Sequence, residues 1–271
     1  MKIAAAFVAT SVWSMPATGK AFKCLTFAKV QHTVLPYDQA QGPKKLQVQT
    51  LFDRIAGRYD RLNEMLSFRL HRHWRRQLVA ALEPRSPQDI LDLATGTGDV
   101  AFELLRLNPQ QVIGIDLSAA MLAVANRKAQ KHPKAQLVRF LQADSERLPF
   151  EDNMFDAVTV AFGIRNFEHL HQAFAESLRV LRPQGCFAIL EFSLPPRQPM
   201  KSLFHAYLRL ICPLLGGCVS GHWQAYWYLY QSIAAFPQPE VLRNQLEKVG
   251  FRQVTWQRLF PGICTLLLAY K

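Results

Sequence analysis

Three acids and two glycines are spaced so that they could grip one small ligand. Asp92 stands four residues before Gly96 in DILDLATGTGD, Asp116 follows Gly98 by 18 residues, and Asp144-Ser145 lies in LQADSERLPF. Glycines let a backbone approach a ligand closely, and a helix that starts there offers free N–H groups. Gly96-x-Gly98-x-x-Ala101 satisfies the dinucleotide fingerprint, so the turn alone does not choose between cofactors. Asp92 favours one. A carboxylate there can hold the cationic amino group of a methionine moiety, directly or through water, but would repel a pyrophosphate. Asp116 suits the ribose hydroxyls of either cofactor. Asp144 can accept from an adenine amino group, with neighbouring N–H groups for the ring nitrogens, and a nicotinamide site has no standard need for it. The set points to S-adenosylmethionine rather than NAD. The competing local roles are a strand-end acid capping the turn (Asp92), a cap for the helix at Ser118 (Asp116) and a solvated loop acid (Asp144).

The elements that must position these residues read in order. Asp89–Leu93 is a buried strand running into the turn, and a helix follows over 99–107. Strands are expected at 112–117, 137–142, 155–162 and 186–192, with helices over 118–130 and 169–181 between them. This alternation means a parallel sheet with right-handed crossovers. Gly96, Asp116, Asp144 and the segment Ala161–Asn166 then share the carboxyl edge, where open α/β sheets bind ligands. Upstream, 48–56 and 62–82 carry apolar residues at helical spacing, including Leu62, Leu66, Leu70, Trp74, Leu78 and Leu82. Downstream come an aromatic-rich amphipathic stretch to Phe236, a helix over 239–249 and two final strands near 251–259 and 262–270.

The 271 residues carry a net charge of +12, concentrated early: six lysines and one acid lie between Met1 and Leu46. This suits an anionic partner, lipid headgroups or nucleic acid, as well as a plain solvated surface. Met1–Tyr37 contains no acid and is expected to be a disordered or targeting extension, a transit peptide or an early start. The five cysteines have no CxxC spacing and are assigned no chemistry, and no metal site is expected. Leu203–Val219 is broken by His205, Arg209 and Pro213, so it does not read as a membrane span.

The segments LFDRIAGRYDRLNEMLSF, HRHWRR, ILDLATGTGDVAF, LPFEDNMFDAVTVAFGIRNF, RVLRPQGCFAILEFS and YLYQSIAAFP, in this order, resemble the ubiquinone/menaquinone biosynthesis C-methyltransferase family. The resemblance spans about Tyr37 to Lys271, and the two ends lean toward the menaquinone branch. It implies an α/β class I S-adenosylmethionine-dependent methyltransferase: a Rossmann-like, doubly wound seven-stranded sheet with the last strand antiparallel and an N-terminal helical lid. The implied division is an extension over 1–37, a lid over 38–84, a cofactor core over 85–193, a helical substrate region over 194–236, and a C-terminal helix and strands over 237–271.

The resemblance places cofactor contacts on Thr97, Asp116, Asp144, Ser145 and Ala161, the last where many members have Ser. Gln184 stands where a Gly is usual. The implied substrate is a prenylated naphthoquinol, with a benzoquinol as the alternative. Arg165 would stabilise the naphtholate and orient a water that takes its proton, since arginine itself is too basic. Asn166 would fix the ring, and Tyr59 and His71 could touch it. Phe204, Tyr207, Leu210, Leu214, Leu215, Trp223, Tyr226, Tyr228 and Tyr230 are candidates for the tail. The implied location is cytoplasmic, in peripheral contact with a membrane, or organellar if the extension is a transit peptide. Three rivals fit less: an NAD-dependent oxidoreductase leaves Asp92 and Asp144 unexplained, a nucleic-acid methyltransferase lacks its [ND]-P-P-[YF] motif, and an inactive lipid-surface scaffold would not need the intact turn.

Overall fold

The computed structural model describes residues 34–37 and 42–271. Short runs of branched and aromatic residues form seven strands: β1 (Asp89–Leu93), β2 (Gln111–Asp116), β3 (Val138–Gln142), β4 (Phe155–Ala161), β5 (Leu181–Phe192), β6 (Arg252–Leu259) and β7 (Cys264–Tyr270). They join in one sheet in the order β3-β2-β1-β4-β5-β7-β6. β1 pairs in parallel with both β2 and β4, whereas β7 runs antiparallel between β5 and β6. The chain builds outward from β1 to β3 and then returns to β4. That reversal opens a crevice at the carboxyl ends of β1 and β4.

The helices are α1 (Lys44–Ile55), α2 (Tyr59–Leu66), α3 (Leu70–Leu82), α4 (Asp99–Leu104), α5 (Ala119–Ala129), α6 (Leu170–Val180), α7 (Met200–Ala206), α8 (Cys212–Ser220), α9 (Trp223–Ala235) and α10 (Pro239–Val249), with one π-helical turn, Tyr207–Ile211, between α7 and α8. The Ser118 hydroxyl caps α5 by accepting from the Met121 N–H at 3.1 Å, the role the sequence suggests for it.

Alternating residues of the strands feed two cores. Leu91, Val158, Phe187 and Leu267 meet Phe174 of α6 and Leu242 and Leu246 of α10. Ile90, Val112, Leu190 and Leu266 meet Trp74, Leu78 and Leu82 of α3 and Leu104 of α4 on the opposite face. Each fully buried leucine contributes about 1.5–3 kcal/mol.

Two features differ from the sequence reading. The helical stretch 62–82 is interrupted, because Phe68 and Arg69 take φ of 48° and 64°. The break lets α3 pack on the sheet with α4, while α1 and α2 join Met121 of α5 and Tyr226 and Tyr228 of α9 in a separate cluster. β5 also begins at Leu181, ahead of the expected Cys186, and Gln184 within it has φ of 66°. A left-handed backbone of this kind is one that glycine adopts without steric cost.

The expected extension falls mostly on residues 1–33, outside the described residues. Val34 and Tyr37 pack against the α1 cluster, and the Tyr37 N–H donates to Gln47 Oε1 at 2.9 Å. Among the described residues no helix is long and apolar enough to cross a membrane.

Candidate active site

The end of β1 is bent sharply by positive φ at Ala94 (49°), Gly96 (57°) and Gly98 (81°). A side chain at Gly98 would bring its Cβ within 2.7 Å of Phe140 Cζ, so only glycine fits. At Gly96 the Cβ direction is open, and only the backbone angle demands glycine.

Carboxylates hold this turn from below and behind. Asp92 is buried and accepts from the Thr95 hydroxyl at 2.6 Å and the Thr159 hydroxyl at 2.7 Å. Burial pushes its pKa up to about 6, against the two hydroxyl hydrogen bonds that stabilise the anion. Asp116 accepts from the Gly96 and Ser118 N–H groups, each at 2.8 Å. Burial raises its pKa as well.

Gly96, Asp116, Asp144, Ser145 and Ala161 line one cavity of about 80 Å³. Asp92, Gly96, Thr97 and Ala161 line an adjoining one of about 30 Å³. The sequence-chosen cofactor residues are therefore brought together along one groove, except Gly98, which shapes the turn without lining either cavity.

The N-terminal helices are pinned over this groove. The Thr97 hydroxyl donates to Asp60 Oδ1 at 2.6 Å, and Lys128 bridges Asp60 at 2.8 Å. Thr97 thus ties the turn to α2, and its hydroxyl does not point freely at a ligand. Lys45 of α1 pairs with Asp144 at 2.9 Å. The ammonium of Lys44 donates to the Phe167 and Arg165 carbonyls at 2.8 and 3.1 Å, with its pKa lowered to about 8 by burial. Neither lysine is singled out by the sequence, since α1 reads there as a merely basic segment.

Beyond the groove lies a larger cavity of about 340 Å³. Its walls come from α1, α2 and α3 on one side and from α7, α8, α9 and the π turn on the other, and they are mostly apolar, with Asn63, Ser67, His71 and Arg75 as polar members of the first side. Phe52, Tyr59, Phe162 and Asn166 line both this cavity and the 80 Å³ cavity, so the two meet at these residues. Burial raises the Tyr59 pKa.

At the meeting point Arg165 is buried with Glu191, its Nη1 donating at 2.8 Å to Glu191 Oε1 and also to the Phe162 carbonyl. The pair is buried rather than a surface salt bridge. Arg165 Nε, Asn166 Oδ1 and the Tyr228 hydroxyl are buried with no protein hydrogen-bond partner. Such groups cost about 1–3 kcal/mol each unless a ligand meets them. Glu191 escaped sequence reasoning, although a lone acid inside the apolar run CFAILEF was its signal.

His71 also lines the cavity, with Nδ1 hydrogen-bonded to the Ser67 hydroxyl. Burial lowers its pKa to about 4. Of the proposed tail residues, Phe204, Tyr207, Tyr226 and Tyr228 line the cavity; Leu210, Leu214, Leu215, Trp223 and Tyr230 do not.

Comparison with known proteins identifies the family and the fold. A model of the ubiE/COQ5 methyltransferase family matches residues 39–271. The chain is similar to a demethylmenaquinone methyltransferase of Bacteroides fragilis, with 46% identity over 242 residues, 89% of this chain and 98% of that one. A demethylmenaquinone methyltransferase of Thermus thermophilus is 44% identical over 80% of this chain and 97% of its own. The ubiquinone/menaquinone biosynthesis C-methyltransferase UbiE of Bartonella quintana is 38% identical over 86% of this chain and 91% of its own. A SAM-dependent methyltransferase of Thermotoga maritima superposes with a TM-score of 0.57 at 18% identity, over 82% of this chain and 99% of that one, and shares the fold.

Proposed function

The chain belongs to the ubiE/COQ5 methyltransferase family, and from that premise we propose that it methylates a ring carbon of a prenylated naphthoquinol, converting demethylmenaquinol to menaquinol with S-adenosylmethionine as donor. Relatives at 46% and 44% identity are named for demethylmenaquinone methylation. The observation that carries the reading is the large apolar cavity whose polar end, with Arg165 and Asn166, abuts the glycine-turn groove.

The residues of the groove fit the donor. Asp116 and Asp144 offer acceptors for the ribose and the adenine amino group, Asp92 places a negative charge near the amino-acid end, and Gly96 leaves open space above the turn. When bound, S-adenosylmethionine supplies a methyl group activated by its sulfonium for in-line transfer to carbon.

The protein's part is to position the quinol and ease its ionisation. Arg165 is held by Glu191 and by the Phe162 carbonyl, which leaves its Nε–H to stabilise the naphtholate oxygen. The hydroxyl proton passes to a water that Arg165 orients, and the ring proton displaced on methylation also leaves to water. Asn166 and Tyr228 present unmatched polar atoms to the ring's oxygens. The apolar walls exclude bulk water and take up the tail. Holding reactants in attack geometry supplies about 7–11 kcal/mol. The enzyme is read as working in peripheral contact with the membrane that holds such a substrate.

Labelled S-adenosylmethionine incubated with a reduced demethylmenaquinone analogue, and with a benzoquinol analogue alongside, tests the proposal. Label should appear in the naphthoquinol and be lost in Arg165→Ala while the cofactor still binds. Label in the benzoquinol alone would move the protein to the ubiquinone branch that its relative from Bartonella quintana also serves by name. Cofactor binding with neither quinol labelled would sink the substrate assignment.

A further inference from the structure

The stretch from Phe192 to Pro239 contains no Asp or Glu. It folds as α7, the π turn, α8 and α9 on one side of the large cavity. Leu203, Leu210 and Leu214 are 60%, 62% and 53% exposed. Leu203 of α7, Leu210 of the π turn and Leu214 of α8 form a run of exposed leucines along this helical stretch. Ile211 of the π turn is exposed too, as are Trp223 and Trp227 of α9, which packs on α8 and the π turn. Single exposed leucines are ordinary, but a run of them with two tryptophans is not.

The charged side chains of this stretch itself are all cations. Arg197, Lys201 and Arg209 are exposed and form no ion pair among the described residues. A stretch that exposes leucines and tryptophans and whose own charges are all cations complements a bilayer interface with anionic headgroups. A second copy of this chain docked face to face would bring the same cations together. The run also reaches the cavity: Phe68, Met200 and Leu203 line it and are 73%, 40% and 60% exposed, so its mouth opens on this face.

We propose that the α7–α9 face docks on an anionic lipid surface, so that the prenyl tail enters the cavity from the bilayer without crossing water. The proposal deepens the reading of the substrate as a membrane-resident prenylated quinol and rests on it.

The full chain is to be co-sedimented with vesicles of phosphatidylcholine alone and of phosphatidylcholine mixed with phosphatidylglycerol. The double variant Leu210→Glu/Leu214→Glu alters exposed residues outside the cavity lining. Binding to the anionic vesicles is expected for the parent protein and should weaken at least about tenfold in the double variant. Replacing Arg197, Lys201 and Arg209 together by glutamine should weaken it comparably, with a smaller loss at high salt. Turnover of a soluble, tail-less quinol should be unchanged in the double variant, and kcat/KM for a long-tailed quinol embedded in vesicles should fall with binding.

Undiminished vesicle binding by the double variant overturns the proposal. So does a parent chain that sediments with neither vesicle, or light scattering that shows a dimer which the variant splits. Vesicle binding through this face without methylation of either quinol would leave the face standing and remove the substrate reading. Methylation of the tail-less quinol with no vesicle binding would do the reverse.

Discussion

Arg165 Nε, Asn166 Oδ1 and the Tyr228 hydroxyl are buried polar atoms without a protein partner on residues that line the large cavity. Removing one of them separates stability from function. Tyr228→Phe deletes a buried hydroxyl with no partner, so the melting temperature should hold or rise. The kcat/KM for the quinol should nevertheless fall about tenfold, the value of one lost hydrogen bond of about 1.4 kcal/mol. Calorimetry and steady-state kinetics on the same variant check both halves, and unchanged kinetics would place Tyr228 away from the ring.

Titration gives a second prediction at the residue scale. The Asp92 carboxyl rises to about 6 from 3.8 on folding, so the folded state holds the proton more tightly and Asp92 lowers stability as pH climbs through that window. His71 falls to about 4 from 6.5, so the unfolded state holds the proton more tightly and His71 raises stability over nearly the same range. The two slopes oppose each other. Asp92→Asn removes the first and should leave stability rising more steeply between about pH 4 and 6 than in the parent protein. Chemical denaturation across that range reads the slope directly, and an unaltered slope would mean Asp92 is not protonated by burial.

At the scale of elements, α1 and α2 are joined to the cofactor groove by a few polar contacts. Asp60 carries two of them, receiving the Thr97 hydroxyl and pairing with Lys128. Asp60→Ala should leave the sheet core untouched, because neither packed face uses it, and should loosen α2 over the glycine turn. The expected effect is a cofactor dissociation constant about tenfold larger, with a faster off-rate. Stopped-flow binding is the measurement, and an unchanged off-rate would show that α2 does not cover the bound cofactor. The break at Phe68–Arg69 was not legible in the sequence, because the apolar phase of 62–82 continues across it. A left-handed pair such as this carries no glycine to announce it.

At the scale of the whole molecule, a ligand that binds only the folded state raises stability by mass action. S-adenosylmethionine at a hundredfold excess over its dissociation constant should add about 2.7 kcal/mol. For a domain of this size that is a rise of about 5–10 °C in melting temperature. NAD should give no such shift, and an equal shift with NAD would remove the argument built on Asp92 and Asp144.

The sequence by itself determined the succession of the first five strands along the chain, the glycine turn and the acids at the carboxyl edge of the sheet. Strand patterning and turn chemistry are local, and parallel crossovers then force Gly96, Asp116, Asp144 and Arg165 to one edge. Only the tertiary structure decided which distant partners meet there. Glu191 under Arg165, Asp60 on Thr97 and Lys44 on the Phe167 carbonyl each join separate elements, and no spacing along the chain encodes those meetings. It also decided which apolar residues face inward. Tyr228 and Leu214 look alike as members of one aromatic and aliphatic run, yet one lines the large cavity and the other stands in solvent. Helical periodicity gives the angle between side chains on one helix; packing against the rest of the molecule sets which of those angles points to the core.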